Sequence, residues 1–537
     1  MKLRQSHIDQ LAGDQFDVLI IGGGINGAVS AASLAAKGLK VALVDKADFA
    51  SGSSSNSSNL IWGGIKYMES GELMLVNKLC RGRNHLMQHY PSSVKEIRFL
   101  TTVNKNFRMP PFVIYLGAVL YWLIGACFTK APRYLSRSAL KQEEPIINTD
   151  HVAGGLEYSD CYLPDNDARF VFKFIRTALD FGCIAANYVE ALGSNRKEDW
   201  WLTDVRDGET GAKFTIQSKV LINACGPYVD PYNQQNQQQT EHHHLFSKGI
   251  HLVVDRLMDH ERVLAFFASD GRLFFVIPMG VKTCIGTTDT QVTAAEAYVT
   301  DEDREFVLSN VNRLLSLPQP LTKEDVIAER CGVRPLVIKG RKDGVADWVK
   351  LSRKHAVDVD GQQCLISIFG GKLTDCVNVG EEIADYVHDL GLNTKAVHER
   401  WYGEPVAADK QAFMAKAARL GTDHLTPSGA IESLSQRLWR RYGKRADTLI
   451  EKIAADPSCA TKPIEEIEYI RCEIELMAEA EMITKLDDFL RRRSKISHVM
   501  RRSDIVASSG LREICQLLFG ELADQKLKEY IDAKAAA

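Results

Sequence analysis

The stretch Phe16–Asp45, FDVLIIGGGINGAVSAASLAAKGLKVALVD, constrains the fold more than any other part of the chain. Val18–Ile21 is a β-branched apolar run of the kind buried in a parallel strand; it stops at Gly22, Gly23 and Gly24, and alanine-rich helical sequence runs from Ile25 to Lys37. Gly22, Gly24 and Gly27 fit G-x-G-x-x-G: the first allows a sharp turn, the second lets a pyrophosphate approach, and the third lets helix and strand pack closely. The helix N-terminus offers free N–H groups and a partial positive charge to a diphosphate. Gly38 closes the helix, Lys40–Val44 reads as the second strand, and Asp45 ends it where a carboxylate can accept hydrogen bonds from an adenosine ribose. Three glycines alone are weak evidence, but strand, helix, second strand and acid in register predict a dinucleotide site.

A chain of 537 residues is too long for one ordinary core, so about two or three domains are expected. Hydrophobic content of 45% and charged content of 25% are those of a globular protein, and a net charge of -3 gives no general reason to expect nucleic acid. Residues 1–15 are polar and carry no apolar core or cleavage-like site, so no targeting signal is expected. The twelve cysteines form no C-x-x-C pair and no His/Cys cluster at zinc spacing, which suits reduced thiols in a cytoplasmic chain.

Ser51–Glu69, SGSSSNSSNLIWGGIKYME, begins like a linker but ends in Leu60–Gly64, so hydroxyls and backbone N–H groups lining a cofactor are the preferred reading. Leu73–His89 is helical in pattern. Met109–Thr129 holds no charged residue over twenty-one positions, long enough to span a bilayer. A single crossing would put the pieces of one nucleotide-binding domain on opposite sides of a membrane, which leaves a buried core helix or, preferred, an apolar helix in the membrane surface. Arg108, Lys130 and Arg133 flank it, and it carries Tyr115, Tyr121 and Trp122.

Further on, Asp165–Phe181 reads as an amphipathic helix, Ile184–Leu192 as a strand, and Trp200–Val205 and Lys213–Gln217 as a small antiparallel sheet; Val220–Ala224 reads as a buried strand ending at Gly226 and Pro227. His242, His243 and His244 close a polar run and are expected to be solvated rather than to bind metal. Three strands follow between Ile250 and Asp289, then a helix over Asp301–Leu317, then Arg334 in the Gly/Pro frame CGVRP, a placement suited to gripping phosphate or carboxylate. Cys364–Phe369 meets Gly370 and Gly371 before a second helix, so the nucleotide domain is expected to be discontinuous. From Trp401 onward only helical periodicity survives, and the basic runs Arg437–Arg445 and Arg491–Arg502 are expected to be solvated helix faces.

These blocks together resemble the family of FAD-dependent, quinone-linked glycerol-3-phosphate dehydrogenases. The likeness runs through DVLIIGGGINGA, LIWGGIKYME, LEYSDCYLPDNDAR, INACGPYVD, KGIHLVV, FVIPMGVKTCIGTTD, GVRPL, FGGKLTD and LDDFLRRRSKI, in that order. It implies an α/β fold: a discontinuous FAD-binding Rossmann-like domain (residues 1–105, 151–235 and 356–395), an apolar segment (106–150), an antiparallel-sheet substrate domain (236–355) and an α-helical C-terminal domain (396–537).

By the resemblance Gly22, Gly24, Asn26, Gly27 and Asp45 would hold the ADP half of FAD, with Val189 towards the adenine and Ala224 and Gly226 approaching the cofactor. Ser53, Ser57, Ser58 and Leu60 would lie along the pyrophosphate and flavin, and Gly371, Lys372, Leu373 and Thr374 at the flavin ring. Lys66, Tyr67, Arg334 and Lys372 would face the substrate, with Arg334 and Lys372 stabilising developing alkoxide, and His251 would accept its proton. The implied reaction is oxidation of glycerol 3-phosphate by hydride transfer to flavin N5, with quinone as acceptor at the inner face of the cell membrane. A homodimer is compatible with this, and no metal is implied.

The sequence departs from the family where Trp62 replaces a histidine, Lys66 an arginine, and GKLTDCVN a GKLTT-like run, bringing in Asp375 and Asn378. Lys66 keeps the charge but loses the planar fork. Oxidation of another hydroxy acid or amine, oxygen as acceptor, and a flavin-binding protein without turnover are the alternatives left open.

Overall fold

The computed structural model describes residues 2–340, 354–394, 400–428 and 430–533. Its first sheet is built on Gln15–Ile21, in the order Ala356–Asp360, Leu365–Phe369, Lys213–Asn223, Gln15–Ile21, Val41–Val44, Ile184–Ala186. From Leu365–Phe369 to Ile184–Ala186 every pairing is parallel. Alternate residues of the central strand serve opposite faces, as strand geometry requires. Val18 and Ile20 pack with helices Ile25–Ala36, Asp167–Asp180 and Cys376–Asp389, while Leu19 and Ile21 pack with Ile8 and Leu11 of helix Lys2–Gly13 and with Trp201. The chain therefore leaves this sheet and returns through Leu365–Phe369 to complete it. Lys213–Asn223 is one strand where two were expected: its first half pairs antiparallel with Trp200–Asp207 and its second half enters the parallel sheet.

The second sheet runs Thr290–Val292, His242–Asp255, Lys282–Gly286, Leu273–Met279, Val263–Phe267, Lys95–Asn104, Val152–Tyr162, Leu60–Ile61, with Ala328–Lys339 beside His242–Asp255. Lys95–Asn104 and Val152–Tyr162 thus lie here, although their sequence neighbours serve the nucleotide sheet. His242–His244 are corrected from a solvated loop to the start of a fourteen-residue strand. His242 meets Asp358 (2.6 Å) and His243 meets Asp230 (3.0 Å), while His244 is buried and accepts the Gly370 N–H (3.0 Å).

The apolar segment forms helix Pro111–Ile124. Ala118 and Tyr121 are buried, but Phe112 and Leu123 are 57% and 54% exposed, and Val113, Leu116 and Leu120 also face outward. Among the described residues no helix is long and apolar enough to cross a membrane.

From Ala407 onward, helices including Leu434–Tyr442, Ala446–Ala455, Arg471–Ala480 and Gly510–Phe519 enclose their own core around Leu438, Ile450, Met477 and Ile514. Here the basic runs differ from expectation: Arg437, Arg440, Arg441, Arg492 and Arg493 are buried. Arg437 pairs with Glu473 (2.7 Å), Arg440 and Arg441 with Asp165, and Arg492 and Arg493 with Asp48 (2.7 and 2.9 Å). In the reverse direction, Arg169 and Arg176 of the nucleotide domain converge on Glu481. Burial alone would raise Glu481, yet those two guanidinium groups hold it at about 2. Removing one partner of such a buried pair costs about 3–5 kcal/mol, so these contacts bind the helical domain firmly to the nucleotide domain.

Candidate active site

At the end of Gln15–Ile21 the chain turns at Gly22 with φ +106°, where a Cβ would lie 2.4 Å from the Ala224 carbonyl oxygen. A Cβ on Gly27 would stand 1.8 Å from the Gly22 oxygen, so only glycine lets helix Ile25–Ala36 rest on that turn. The Ile25 N–H, at the helix N-terminus, donates to the Ser54 hydroxyl (3.0 Å). The Asp45 carboxylate accepts the N–H groups of Gly23 (2.7 Å) and Ala47 (2.8 Å), and burial pushes its pKa up to about 6.

These elements wall a cleft of about 450 Å³ that brings together Gly22, Gly24, Asn26, Asp45, Ser53, Ala224, Gly226 and Gly371. Gly27 lies beneath it as a packing residue. Val189 is buried and donates its N–H to the Asp45 carbonyl (2.7 Å), while the next residues, Glu190 and Ala191, line the cleft. An acid at a strand end, a helix N-terminus and two glycine turns are the donor and acceptor set that a dinucleotide needs, so the residues fit one.

An inner cavity of about 160 Å³ shares the walls Ser53, Asn56, Gly332 and Val333 with the cleft and adds Ser57, Ser58, His251, Phe275, Thr287 and Arg334. His251 faces Arg330 and Gly286 across its strand neighbours. It is buried, and neither ring nitrogen has a hydrogen-bond partner among the described residues. Burial, and then the charges of Arg330 and Arg334, hold its pKa well below 6.5, so the ring is neutral near pH 7.

Arg334 lies on strand Ala328–Lys339, which among the described residues pairs with His242–Asp255 and sets Pro335 opposite Phe246; an edge strand tolerates proline. Its guanidinium lies over Gly249, where a Cβ would sit 2.0 Å from Nη2. It donates to Thr287 Oγ1 (3.0 Å) and the Thr288 carbonyl (3.3 Å), and approaches Asp289 (3.4 Å), which also accepts from Ser247.

The remaining expected residues stand further out. Lys372 donates to the Tyr67 hydroxyl (2.7 Å) with its ammonium 4.1 Å from the ring centre, and Thr374 donates to the Trp62 carbonyl (3.2 Å). Leu373 packs on the nucleotide-domain core, and Leu60 pairs with Tyr162 in the second sheet. Lys66 is exposed and lines neither cavity. Three residues absent from the expected set matter here: Asn56 lines both cavities, Ser54 meets the helix N-terminus, and Arg330 reaches Asp167, Asn59 and the Ser55 carbonyl. The serine run itself flagged the first two; Arg330 became visible only through strand pairing.

A cleft of this build at the carboxyl ends of parallel strands defines a nucleotide-cofactor oxidoreductase site. The model of the FAD dependent oxidoreductase family matches residues 17–358, and that of the C-terminal domain of alpha-glycerophosphate oxidase matches residues 407–523. Glycerol-3-phosphate dehydrogenase 2 of Mycobacterium tuberculosis is 32% identical over 91% of this chain and 82% of its own. Aerobic glycerol-3-phosphate dehydrogenase of Bacillus subtilis is 30% identical over 89% and 87%. The X-ray structure of the glycerol-3-phosphate dehydrogenase from Bacillus halodurans complexed with FAD superposes with a TM-score of 0.74 at 24% identity, over 99% of this chain and 96% of that one, a likeness of fold. The chain belongs to the FAD dependent oxidoreductase family, and FAD is its cofactor.

Proposed function

We propose that this protein oxidises sn-glycerol 3-phosphate to dihydroxyacetone phosphate and passes the electrons to a membrane quinone. The observation that carries the reading is the inner cavity, where a neutral buried imidazole and a fixed guanidinium face one space next to the FAD cleft. The names of the relatives supply the substrate class.

FAD, when bound, supplies the hydride acceptor. Arg334 grips the phosphate, for which its planar fork is suited, and its bonds to Thr287 and Thr288 keep the fork from turning. His251, neutral because it is buried, takes the proton of the secondary hydroxyl. Lys372, steadied by Tyr67, adds positive potential that favours the developing alkoxide. Walls such as Phe275 and Val333 exclude water from the reacting carbon.

The exposed apolar face of Pro111–Ile124, with Arg108, Lys130 and Arg133 beside it, suits a helix lying in an anionic membrane surface, where quinone is dissolved. Turnover with glycerol 3-phosphate in the presence of lipid vesicles is therefore faster with a quinone acceptor than with oxygen alone. Equal rates of oxygen uptake without quinone would make the protein a soluble oxidase instead.

A further inference from the structure

The segment from Ser51 to Asn59 supports both cavities: Ser53 and Asn56 line each of them, and Ser57 and Ser58 line the inner one. It contains one short turn, Ser53–Ser55, and besides a few bonds of its own is held from outside. Ser53 donates to the Val333 carbonyl (2.6 Å), the Ser57 N–H donates to Asp167 (2.7 Å), and Arg330 donates to the Ser55 carbonyl (3.0 Å). One further tie comes from the helical domain. Arg491 Nη2 donates to Asn56 Oδ1 (3.1 Å), joining positions 435 residues apart in sequence.

Arg491 is unlike its neighbours. Arg492 and Arg493 neutralise Asp48, whereas Arg491 is half-buried, makes no ion pair among the described residues, and has the Asn56 amide as its guanidinium's hydrogen-bond partner there. Asn56 in turn is wedged against Gly332, where a Cβ would stand 2.9 Å from the Asn56 Cβ, and its own NH2 group donates to the Gly52 carbonyl (3.1 Å). Asn56 is thus trapped between a strand of the second sheet and an arginine of the C-terminal domain. That arginine is itself fixed by the anchoring of Arg492 and Arg493 three residues past Asp45.

We propose that Arg491 is a positioning residue for FAD: through Asn56 the C-terminal domain holds the wall common to both cavities, so tight retention of the cofactor depends on it. This rests on FAD being the cofactor and is independent of the substrate reading.

The test is the rate at which diluted holoprotein releases FAD, followed by the recovery of free-flavin fluorescence. Loss of one charge-assisted hydrogen bond predicts release about tenfold faster in Arg491→Met, with part of the retention recovered in Arg491→Lys. Asn56→Ala gives the same acceleration, and adding Arg491→Met to it gives no more, as expected for two ends of one contact. Arg491→Met lowers the melting temperature of the FAD-free chain slightly, and saturating FAD raises the variant's melting temperature by less than it raises that of the wild type, which a merely structural contact would not do. Release at the wild-type rate in both single variants would overturn the proposal, as would equal loss of melting temperature with and without FAD at unchanged release.

Discussion

Replacing Gly249 by alanine tests the substrate grip without substituting a charged residue. The added Cβ would fall 2.0 Å from Nη2 and 2.3 Å from Cζ of Arg334, inside the guanidinium, and the atoms in its way belong to the far end of a flexible side chain. The strand therefore survives and the arginine moves. To reach ordinary contact distance it must retreat by more than an ångström, which breaks the bonds to Thr287 (3.0 Å) and Thr288 (3.3 Å) that aim it. A hydrogen bond to a charged partner is worth about 1.5–3 kcal/mol, so loss of one to the substrate phosphate raises KM between about tenfold and about a hundredfold. Flavin content and melting temperature stay close to wild type. Steady-state kinetics with glycerol 3-phosphate on purified Gly249→Ala reads this directly. An unchanged KM in a variant that keeps its FAD would refute the role given to Arg334.

Three other outcomes follow from the same geometry. His251→Asn keeps its FAD but loses about a hundredfold to about ten-thousandfold in kcat; because burial holds the imidazole well below 6.5, the base form is lost only as pH falls through that lowered value, so the acid limb of kcat/KM lies below 6.5. If Asp45 accepts the ribose hydroxyls, Asp45→Asn releases FAD faster, and FAD affinity of the wild type falls as pH drops below about 6, where the carboxyl of the FAD-free protein becomes protonated; an affinity that is flat between pH 7 and 5 would count against that contact. A double variant, Leu116→Glu with Leu120→Glu, leaves lipid vesicles on sedimentation while its activity with a soluble acceptor is kept, and continued co-sedimentation would remove helix Pro111–Ile124 from the membrane contact.

What could be read from the sequence was what local pattern determines. Helix Leu73–His89 was legible to the residue, and so were the glycine turn at Gly22–Gly24 and the second Gly-Gly turn after Phe369, because period and punctuation sit within a few positions of each other. What escaped depends on partners remote in the chain. A row such as Arg491–Arg493 looks like a solvated face until Asp48 and Asn56 are brought against it. His244 looked solvated because its run is polar, yet pairing with Ala328–Lys339 draws it into a strand and onto the Gly370 N–H. The glycine and proline around Arg334 single it out without showing that it lies on a strand, because an edge strand tolerates both. The inner cavity had the same cause, since His251 and Arg334 come from different strands and meet only once the second sheet is closed.

Anaerobic addition of sn-glycerol 3-phosphate to the purified yellow protein tests the central claim most directly. The account predicts that the oxidised-flavin absorbance disappears with formation of one equivalent of dihydroxyacetone phosphate. A flavin that stays oxidised with glycerol 3-phosphate, yet is bleached by another small hydroxy acid or an amine, would contradict it.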